Sequence, residues 1–349
     1  MNVLSLFDGI ACGRLALERA GIPVDGYFAS EIDNNAMRIA THNYEDIVEL
    51  GGVAELFYDK TTGTLYSDKG ALQVGHIDLM IGGSPCTDFS SIGMRRGMST
   101  EKEQVTSLDQ YMRLKQEGVT FNGQSYLFWE YVRLLNEVQP DYFLLENVVM
   151  AERWRNIISE AVGCKPIAIN SALVSAQNRP RLYWTNIQNV KAPDDKGITL
   201  DSILDENADT EDAFRTKTVQ RAMPRLMKNY GYIPPRFNAY NASKINDKAC
   251  ALSRGSMITS SCATLLFVPV ADGVHTVEDG ILDGRYKVPL QNGRYNVRHL
   301  NLTEMERLQT LPDGYTAGAG VAKQARSRAI GNGWTADVIA HILSYLPRR

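Results

Sequence analysis

Cys86 is the residue of this sequence best placed to do covalent chemistry. It follows Pro85 just after an apolar run, in the segment Ile81-Gly82-Gly83-Ser84-Pro85-Cys86, and a later apolar run ends at Glu146. A thiol nucleophile near a carboxylic acid is the pair needed to add a carbon to C5 of cytosine, because C5 becomes nucleophilic only after C6 is attacked and N3 is protonated. The rest of the chain would then have to supply a methyl donor and a nucleic acid.

The surroundings of Cys86 favour the reactive interpretation over a structural one. A free cysteine is more often a small buried hydrophobe than a nucleophile, and Glu146 could be an ordinary acid at a strand end. Both residues, however, follow predicted strands of an α/β sheet, at the ends where ligand crevices form. Cys86 also opens a long polar loop.

The first half of the chain alternates short apolar runs with helical patterns, which predicts an α/β fold with a mostly parallel sheet covered on both faces. The predicted strands cover residues 3–7, 24–30, 77–81, 142–145 and 166–173, and the predicted helices cover 14–20, 36–43, 126–138 and 152–161. From about residue 191 this alternation fades, and helical periodicity returns at 303–308 and 335–346. We therefore expect a catalytic and cofactor-binding domain at 1–189, a smaller domain at 190–297 and a segment at 298–349 whose helix returns to the first domain.

Two features near the N-terminus predict a nucleoside cofactor. Phe7, Asp8 and Gly9 follow the first predicted strand, and Gly13 opens the first helix, where a tight turn and free amides suit negative groups. Glu31 ends the second predicted strand, where a carboxylate can accept hydrogen bonds from both ribose hydroxyls. Each feature alone is equally consistent with a tight turn or a solvated acid, but together they favour the cofactor.

Composition indicates an ordinary globular chain of 349 residues with 44% apolar content, enough for roughly two domains. Five cysteines without C-x-x-C spacing predict reduced thiols and neither a disulfide framework nor a zinc site. No stretch approaches the ~18 apolar residues of a membrane span, and the first residues lack a basic leader region, so we expect a cytoplasmic protein without membrane contacts.

One block of the sequence is strongly basic although the net charge is −3. Residues 213–254 contain nine Lys or Arg and one acid, a local charge of +8 that leaves −11 for the remainder. Aromatic and amide residues interleave with these cations around Tyr230 and Arg236, a mixture that suits phosphate and base-edge contacts. The alternative is a solvated basic face.

The motifs in their order resemble those of the cytosine-C5 DNA methyltransferase family. The matching segments cover about 1–187 and 298–346, and they are Phe7-Asp8-Gly9 with Gly13, Glu31, Pro85-Cys86, Glu146-Asn147-Val148, Gln177-Asn178-Arg179-Pro180-Arg181, the run from Arg298 to Pro312, and Gly331-Asn332-Gly333-Trp334. Several of these resemble the eukaryotic de novo branch, whereas Asn332 and the compact length are more typical of a bacterial or phage enzyme, with or without a restriction-modification partner.

The resemblance implies a Rossmann-like methyltransferase domain that uses S-adenosylmethionine, plus a target-recognition domain that binds double-stranded DNA. It implies that Cys86 attacks C6 of a flipped-out cytosine, that Glu146 is kept protonated by burial and bonds N3, that Arg181 holds O2 and that Arg179 supports the pocket and Glu146. The cofactor-binding residues it implies are Phe7, Asp8, Gly9, Gly13, Glu31, Ile32, Val53, Pro85, Asn332 and Trp334. Ser91, Arg95, Arg96, Arg236 and Arg254 are the expected DNA contacts, and no metal is expected.

Two positions depart from the family pattern, and two rival functions stay open. Thr87 stands where the family usually has Gln, and Gly51-Gly52-Val53 lacks the carboxylate that usually meets the adenine amino group, a role left to backbone groups or Asp78.

A related branch methylates cytosine in transfer RNA, although its usual Cys-Phe-Thr signature is not evident here. The other rival is a catalytically silent DNA-binding module.

Overall fold

A computed structural model describes residues 1–85, 98–209, 211–214, 216–252 and 264–347. Cys86, Ser91, Arg95, Arg96 and Arg254 therefore lie outside the described residues. The chain divides into two compact units, the first formed by residues 1–170, 180–194 and 334–349 and the second by 171–179 and 195–333. Residues 298–333, which the sequence assigns to the returning segment, lie in the second unit, because the strand that ends at His299 runs directly into helices packed there.

The described residues form the following elements. The strands are β1 (Asn2–Leu6), β2 (Gly26–Ser30), β3 (Ile47–Glu49), β4 (Phe57–Asp59), β5 (Thr64–Ser67), β6 (Gly70–Gln73), β7 (Leu79–Gly82), β8 (Ser99–Thr100), β9 (Phe121–Asn122), β10 (Tyr142–Val148), β11 (Ile167–Asn170), β12 (Gln177–Asn178), β13 (Pro180–Thr185), β14 (Arg236–Asn238), β15 (Ser243–Lys244), β16 (Ala249–Cys250), β17 (Thr264–Pro269), β18 (His275–Glu278), β19 (Ile281–Leu282), β20 (Tyr286–Lys287) and β21 (Gly293–His299). The helices are α1 (Cys12–Arg19), α2 (Asn34–Asn43), α3 (Leu108–Gln116), α4 (Phe128–Val138), α5 (Glu152–Val162), α6 (Lys217–Tyr230), α7 (Leu302–Leu308), α8 (Lys323–Asn332) and α9 (Ala336–Leu343).

The first unit is built on a seven-stranded sheet in the order β11-β13-β10-β7-β1-β2-β3. All of its strands run in one direction except β13, which pairs antiparallel with both β10 and β11. Every residue of β7 is buried, as expected for a parallel strand covered on both faces. The predicted α/β fold with a mostly parallel, mixed sheet is confirmed.

A three-stranded antiparallel sheet, β4-β5-β6, interrupts the alternation between β3 and β7. Its strands join through tight turns, and Gly63 and Gly70 supply the positive φ angles of 67° and 118° that these turns need. Leu65 and Tyr58 bury this small sheet against the main core, which also contains α4. The insertion adds a structured projection next to the end of β3.

The second unit has its own antiparallel sheet in the order β15-β14-β17-β21-β18-β19-β20. Helix α6 begins with Thr216 as its N-cap and places Val219, Met223 and Leu226 in the core beneath this sheet. A second cluster joins Leu266 of β17 to α7 and α8 through residues such as Met305 and Ile330. Among the described residues of either unit, none of the helices is long and apolar enough to cross a membrane.

Helix α9 completes the first unit, since it packs against α1 and Arg19 pairs with Asp337 at 2.6 Å. Replacing the fully buried Ile339 by Ala should therefore lower the free energy of unfolding of this unit by about 2–5 kcal/mol, the usual cost of such a cavity. Urea denaturation followed by tryptophan fluorescence measures this change. Ser344→Ala, at the exposed end of α9, is the matched control, and an equal loss in the two variants would contradict the packing role.

Candidate active site

Several of the residues predicted from sequence to form the site lie at one edge of the seven-stranded sheet. Strands β1, β2, β3, β7 and β10 are parallel, so their carboxyl ends share that edge. The residues that these ends present are Phe7 and Asp8 after β1, Glu31 after β2, Glu49 in β3, Gly83 to Pro85 after β7, and Glu146 in β10.

The loop after β1 has an unusual backbone. Phe7, Gly9 and Ala11 all have positive φ, at 58°, 65° and 61°. For the two residues with a side chain this conformation costs about 1–2 kcal/mol each, and such strain concentrates at ligand sites. The Gly9 amide donates to Glu31 Oε2 at 2.9 Å, which ties the loop to the end of β2.

Glu31 is a rigidly held acceptor. Besides the Gly9 amide, its other carboxylate oxygen accepts the amides of Ile32 at 2.7 Å and Asp33 at 2.8 Å. Since a carboxylate has about four acceptor positions, room remains for one further strong hydrogen bond. The prediction that Glu31 accepts both ribose hydroxyls would thus require the second hydroxyl to share an acceptor position with an amide.

Two carboxylates nearby have buried oxygens without a hydrogen-bond partner. Asp8 Oδ1 accepts the hydroxyls of Ser5 at 2.5 Å and Tyr27 at 2.6 Å, but Asp8 Oδ2 and both oxygens of Glu49 have none. Burial raises the pKa of Asp8 from 3.8 to about 6, and burial together with the Asp8 charge raises the pKa of Glu49 from 4.5 to about 7. This corner of the site therefore favours a cation.

The Glu146 carboxylate is held by a donor on each oxygen. Arg181 Nε in β13 lies 2.9 Å from Oε1, and Trp334 Nε1 donates to Oε2 at 3.1 Å. The burial expected for Glu146 is observed, with 9% of its surface exposed. Its expected protonation stays a prediction.

The segment that follows β7 packs closely against the Glu146 carboxylate, and Asn147 holds it there. A Cβ atom on Gly83 would lie 2.8 Å from Trp334 Nε1 and 3.1 Å from Glu146 Oε2. Asn147 Nδ2 donates to the hydroxyl of Ser84 at 3.1 Å. The chain that leads through Pro85 to Cys86 is thereby fixed up to its last described residues.

The remaining predicted cofactor residues have different surroundings. Ile32 is 70% exposed, whereas Val53 is buried and opens a short 3-10 helix. Gly13 faces the protein interior, because a Cβ there would lie 2.4 Å from Ile81 Cδ1. Asn332 is exposed at the end of α8, in the second unit.

Arg179 also belongs to the second unit and is 5% exposed. Its guanidinium donates to the carbonyls of Leu252 at 2.5 Å, Gly331 at 3.2 Å and Gly333 at 3.0 Å. The donor observed on Glu146 is Arg181, the residue that the resemblance assigned to the base instead. The described contacts of Arg179 are those of a residue that joins chain segments.

Two acidic residues change the sequence-based picture of cofactor binding. Asp78 directly precedes β7 and accepts the Asn2 amide at 2.6 Å, so it lies at the amino-terminal edge of the sheet and is wrong as an adenine contact. Glu49 was missed, although it follows the same rule as Glu31 and Glu146, an acid at the end of a short apolar run. Its strand has only three residues, too few for a clear pattern.

Arg236 borders a cavity of about 900 Å³ in the second unit. Tyr230, Tyr232, Lys244 and Lys287 also line it, so aromatic faces and cations occur together. The Arg236 guanidinium already pairs with Asp201 and donates to the Asn246 carbonyl at 3.4 Å. Arg236 is therefore partly neutralised.

The acidic corner predicts a pH dependence of stability. Because the folded chain keeps the proton of Glu49 to about pH 7, while the unfolded chain loses it near 4.5, stability should fall as pH rises between these values. In Glu49→Gln this part of the fall should be absent, so the difference in Tm between pH 5 and pH 8 becomes smaller than in the wild type. Thermal denaturation at both pH values measures it.

Glu45→Gln is the matched control, since Glu45 is an exposed acid of the same unit. It should keep the wild-type dependence on pH. A Glu49→Gln variant that also keeps it would show that this carboxyl is already ionised at pH 5.

Comparison with known proteins finds a family resemblance in the first part of the chain. Residues 1–158 match the family model described as C-5 cytosine-specific DNA methylase. The orphan methyltransferase M.SPRI of Bacillus phage SPR is 29% identical over an alignment of 201 positions, which covers 54% of this chain and 38% of the phage protein. The matched region is thus well under two thirds of that relative's length.

Solved structures share the fold along nearly the whole chain. The methyltransferase EhMeth of Entamoeba histolytica has a TM-score of 0.63 at 13% identity, covering 99% of this chain and 97% of that one. The Dnmt2 methyltransferase of S. pombe has a TM-score of 0.58 at 15% identity, covering 99% and 98%. The family match is thus confined to residues 1–158, whereas the similarity of fold extends along nearly the whole chain.

Proposed function

We propose that this protein transfers a methyl group from S-adenosylmethionine to C5 of a cytosine flipped out of duplex DNA. The observation that carries the proposal is the Glu146 carboxylate, fixed between Arg181 and Trp334 on the strand next to the one that leads into Cys86. A carboxyl group held there can face N3 of a pyrimidine whose C6 is within reach of the thiol.

In this mechanism the Cys86 thiolate forms a bond to C6 while a proton from Glu146 reaches N3. C5, now an enamine carbon, takes the methyl group as the bond between that group and the sulfonium sulfur breaks. Solvent then accepts the C5 proton, the S–C6 bond breaks as the C5–C6 double bond re-forms and the thiolate leaves, and the N3 proton returns to Glu146. When bound, S-adenosylmethionine supplies the electrophilic methyl carbon. Arg181 keeps the Glu146 carboxyl in place and can donate to the O2 of the base with its remaining N–H groups.

The residues at the sheet edge fit this cofactor. Glu31 retains one acceptor position for the ribose, and Ile32 offers an exposed apolar surface to a flat ring. The unpartnered oxygens of Asp8 and Glu49 suit the positive charges of the sulfonium and amino groups. We assign Phe7, Gly9 and Pro85 to the proposed cofactor pocket, because the loops that contain them border it.

Duplex DNA is the proposed substrate polymer. A matched relative is a phage orphan methyltransferase, and the basic block from 213 to 254 supplies cations that would neutralise phosphates. We propose the second unit as the target-recognition domain, with Lys244 and Lys287 beside the tyrosines of the cavity as candidate backbone contacts. We expect the protein to work in the cytoplasm of a bacterial or phage-infected cell.

A transfer assay tests the proposal. Purified protein with methyl-labelled S-adenosylmethionine should label duplex DNA at C5 of cytosine, and Cys86→Ala should abolish labelling with the Kd for the cofactor unchanged. Labelling of transfer RNA alone would move the protein to the RNA-modifying branch. Cofactor binding without transfer to either polymer would indicate a silent DNA-binding module.

The contact between Trp334 and Glu146 predicts a positioning role beyond cofactor binding. Trp334→Phe keeps an aromatic ring but removes the N–H donor, so kcat should fall about 10-fold while the cofactor Kd stays unchanged. Glu146→Gln should cost at least ~10²-fold in the same assay. Steady-state kinetics and calorimetry separate the two effects.

Trp184→Phe is the matched control, because Trp184 donates an equivalent hydrogen bond to Ser159 at 2.9 Å inside the same unit. It should alter stability but not kcat. If Trp334→Phe instead weakens cofactor binding at normal kcat, Trp334 acts on the cofactor and not on Glu146.

A further inference from the structure

The turn between β5 and β6 lies against the end of β3. Lys69, in this turn, donates from Nζ to the Glu49 carbonyl at 2.8 Å, and its amide donates to Ser67 Oγ at 3.1 Å. The neighbouring Asp68 approaches Gly51 so closely that a Cβ on Gly51 would lie 2.6 Å from Asp68 Oδ1. The turn of the β4-β5-β6 sheet therefore places the Asp68 carboxylate at the edge of the seven-stranded sheet where we propose that the cofactor binds.

Gly51 and Gly52 place backbone without side chains beside this carboxylate. Gly51 has a φ of 86°, which favours glycine, and a Cβ on Gly52 would meet Ile32 Cγ2 at 3.6 Å. Ile32, at 70% exposure, is the most exposed of the large apolar side chains described. An apolar side chain, a glycine pair and a carboxylate at its edge form a surface suited to a planar ring that carries a hydrogen-bond donor.

Asp68 differs from the other acids of this edge in its hydrogen bonding. Glu31 accepts three amides, and Asp33 Oδ1 accepts the Asn35 amide as the N-cap of α2. The carboxylate oxygens of Glu49, the last residue of β3, are buried. Within the described residues, the Asp68 side chain is exposed and accepts no hydrogen bond, so its oxygens are available to a ligand.

We propose that Asp68 accepts a hydrogen bond from the exocyclic amino group of the adenine of S-adenosylmethionine, with Ile32 against the ring. This inference rests on the proposed function and names a residue from the β4-β5-β6 insertion as the one that selects adenine. Gly52 lacks a side chain for this contact, and Asp68 supplies the carboxylate from a different part of the chain.

Isothermal titration calorimetry of the full chain with S-adenosylhomocysteine tests the contact without turnover. Asp68→Ala should weaken binding roughly 10-fold, the usual value of one hydrogen bond to a charged group. An analogue with purine in place of adenine lacks the amino group; it should bind the wild type about as weakly as the adenine ligand binds Asp68→Ala. The Asp68→Ala variant should bind the adenine ligand and the purine analogue with equal affinity. A merely structural effect would weaken the binding of both ligands and keep the preference for adenine.

Restoring a carboxylate at position 52 provides a second test. Gly52 has a φ of −73°, and a Cβ there makes only an ordinary contact with Ile32, so aspartate is sterically allowed. Gly52→Asp in the Asp68→Ala background should recover most of the lost affinity and the preference for the amino group. Glu45→Gln, which removes an exposed charge elsewhere in the unit, should leave both unchanged.

The outcomes separate this inference from the proposed function. A wild-type chain that binds neither S-adenosylmethionine nor S-adenosylhomocysteine would overturn the proposed function. Tight wild-type binding with an Asp68→Ala variant of equal affinity and equal preference for adenine would overturn the role of Asp68 alone.

Discussion

The arrangement of the site depends on one carboxylate that three chain segments hold in common. Glu146 comes from β10, Arg181 from the antiparallel β13 and Trp334 from the turn before α9. A polar group buried to this degree is stable only when hydrogen-bond partners compensate for the lost water. Strand β13 therefore has to lie beside β10, and the C-terminal segment has to return to the first unit, if the acid is to stay in position.

Two other acids at the same edge of the sheet, Asp8 and Glu49, lack the donors that Glu146 has. At Asp8 and Glu49 the fold buries carboxylate oxygens and leaves them without donors, which raises their pKa values to about 6 and about 7. A cation bound there would stabilise the ionised forms, so part of its binding energy would come from relief of an unfavourable burial. One sheet edge thus combines a satisfied acid, suited to hold a substrate base, with unsatisfied acids suited to attract a charged cofactor.

The sequence predicted the parallel core well because such strands are buried on both faces and form continuous apolar runs, as in β1, β2 and β10. It failed where structure depends on distant partners. Strand β13 contains the Pro180-Arg181 motif and has no simple apolar pattern, and β3 is only three residues long. The proximity of Asp68 to Gly51 depends on the path of an inserted sheet, which no local pattern encodes. Spacing did not indicate that Arg181 and not Arg179 would be the observed donor to Glu146, because the two residues are neighbours in sequence and differ only in the partners that their side chains reach in the fold.

The loop from Phe7 to Ala11 has a further consequence. Its left-handed residues are held partly by the bond from the Gly9 amide to Glu31, the same acid proposed to bind the ribose. Loop shape and sugar recognition therefore share one side chain. During evolution, position 31 could hardly change without allowing the backbone at 7–11 to relax, so we would expect these two stretches to diverge together or remain fixed together across descendants of this gene.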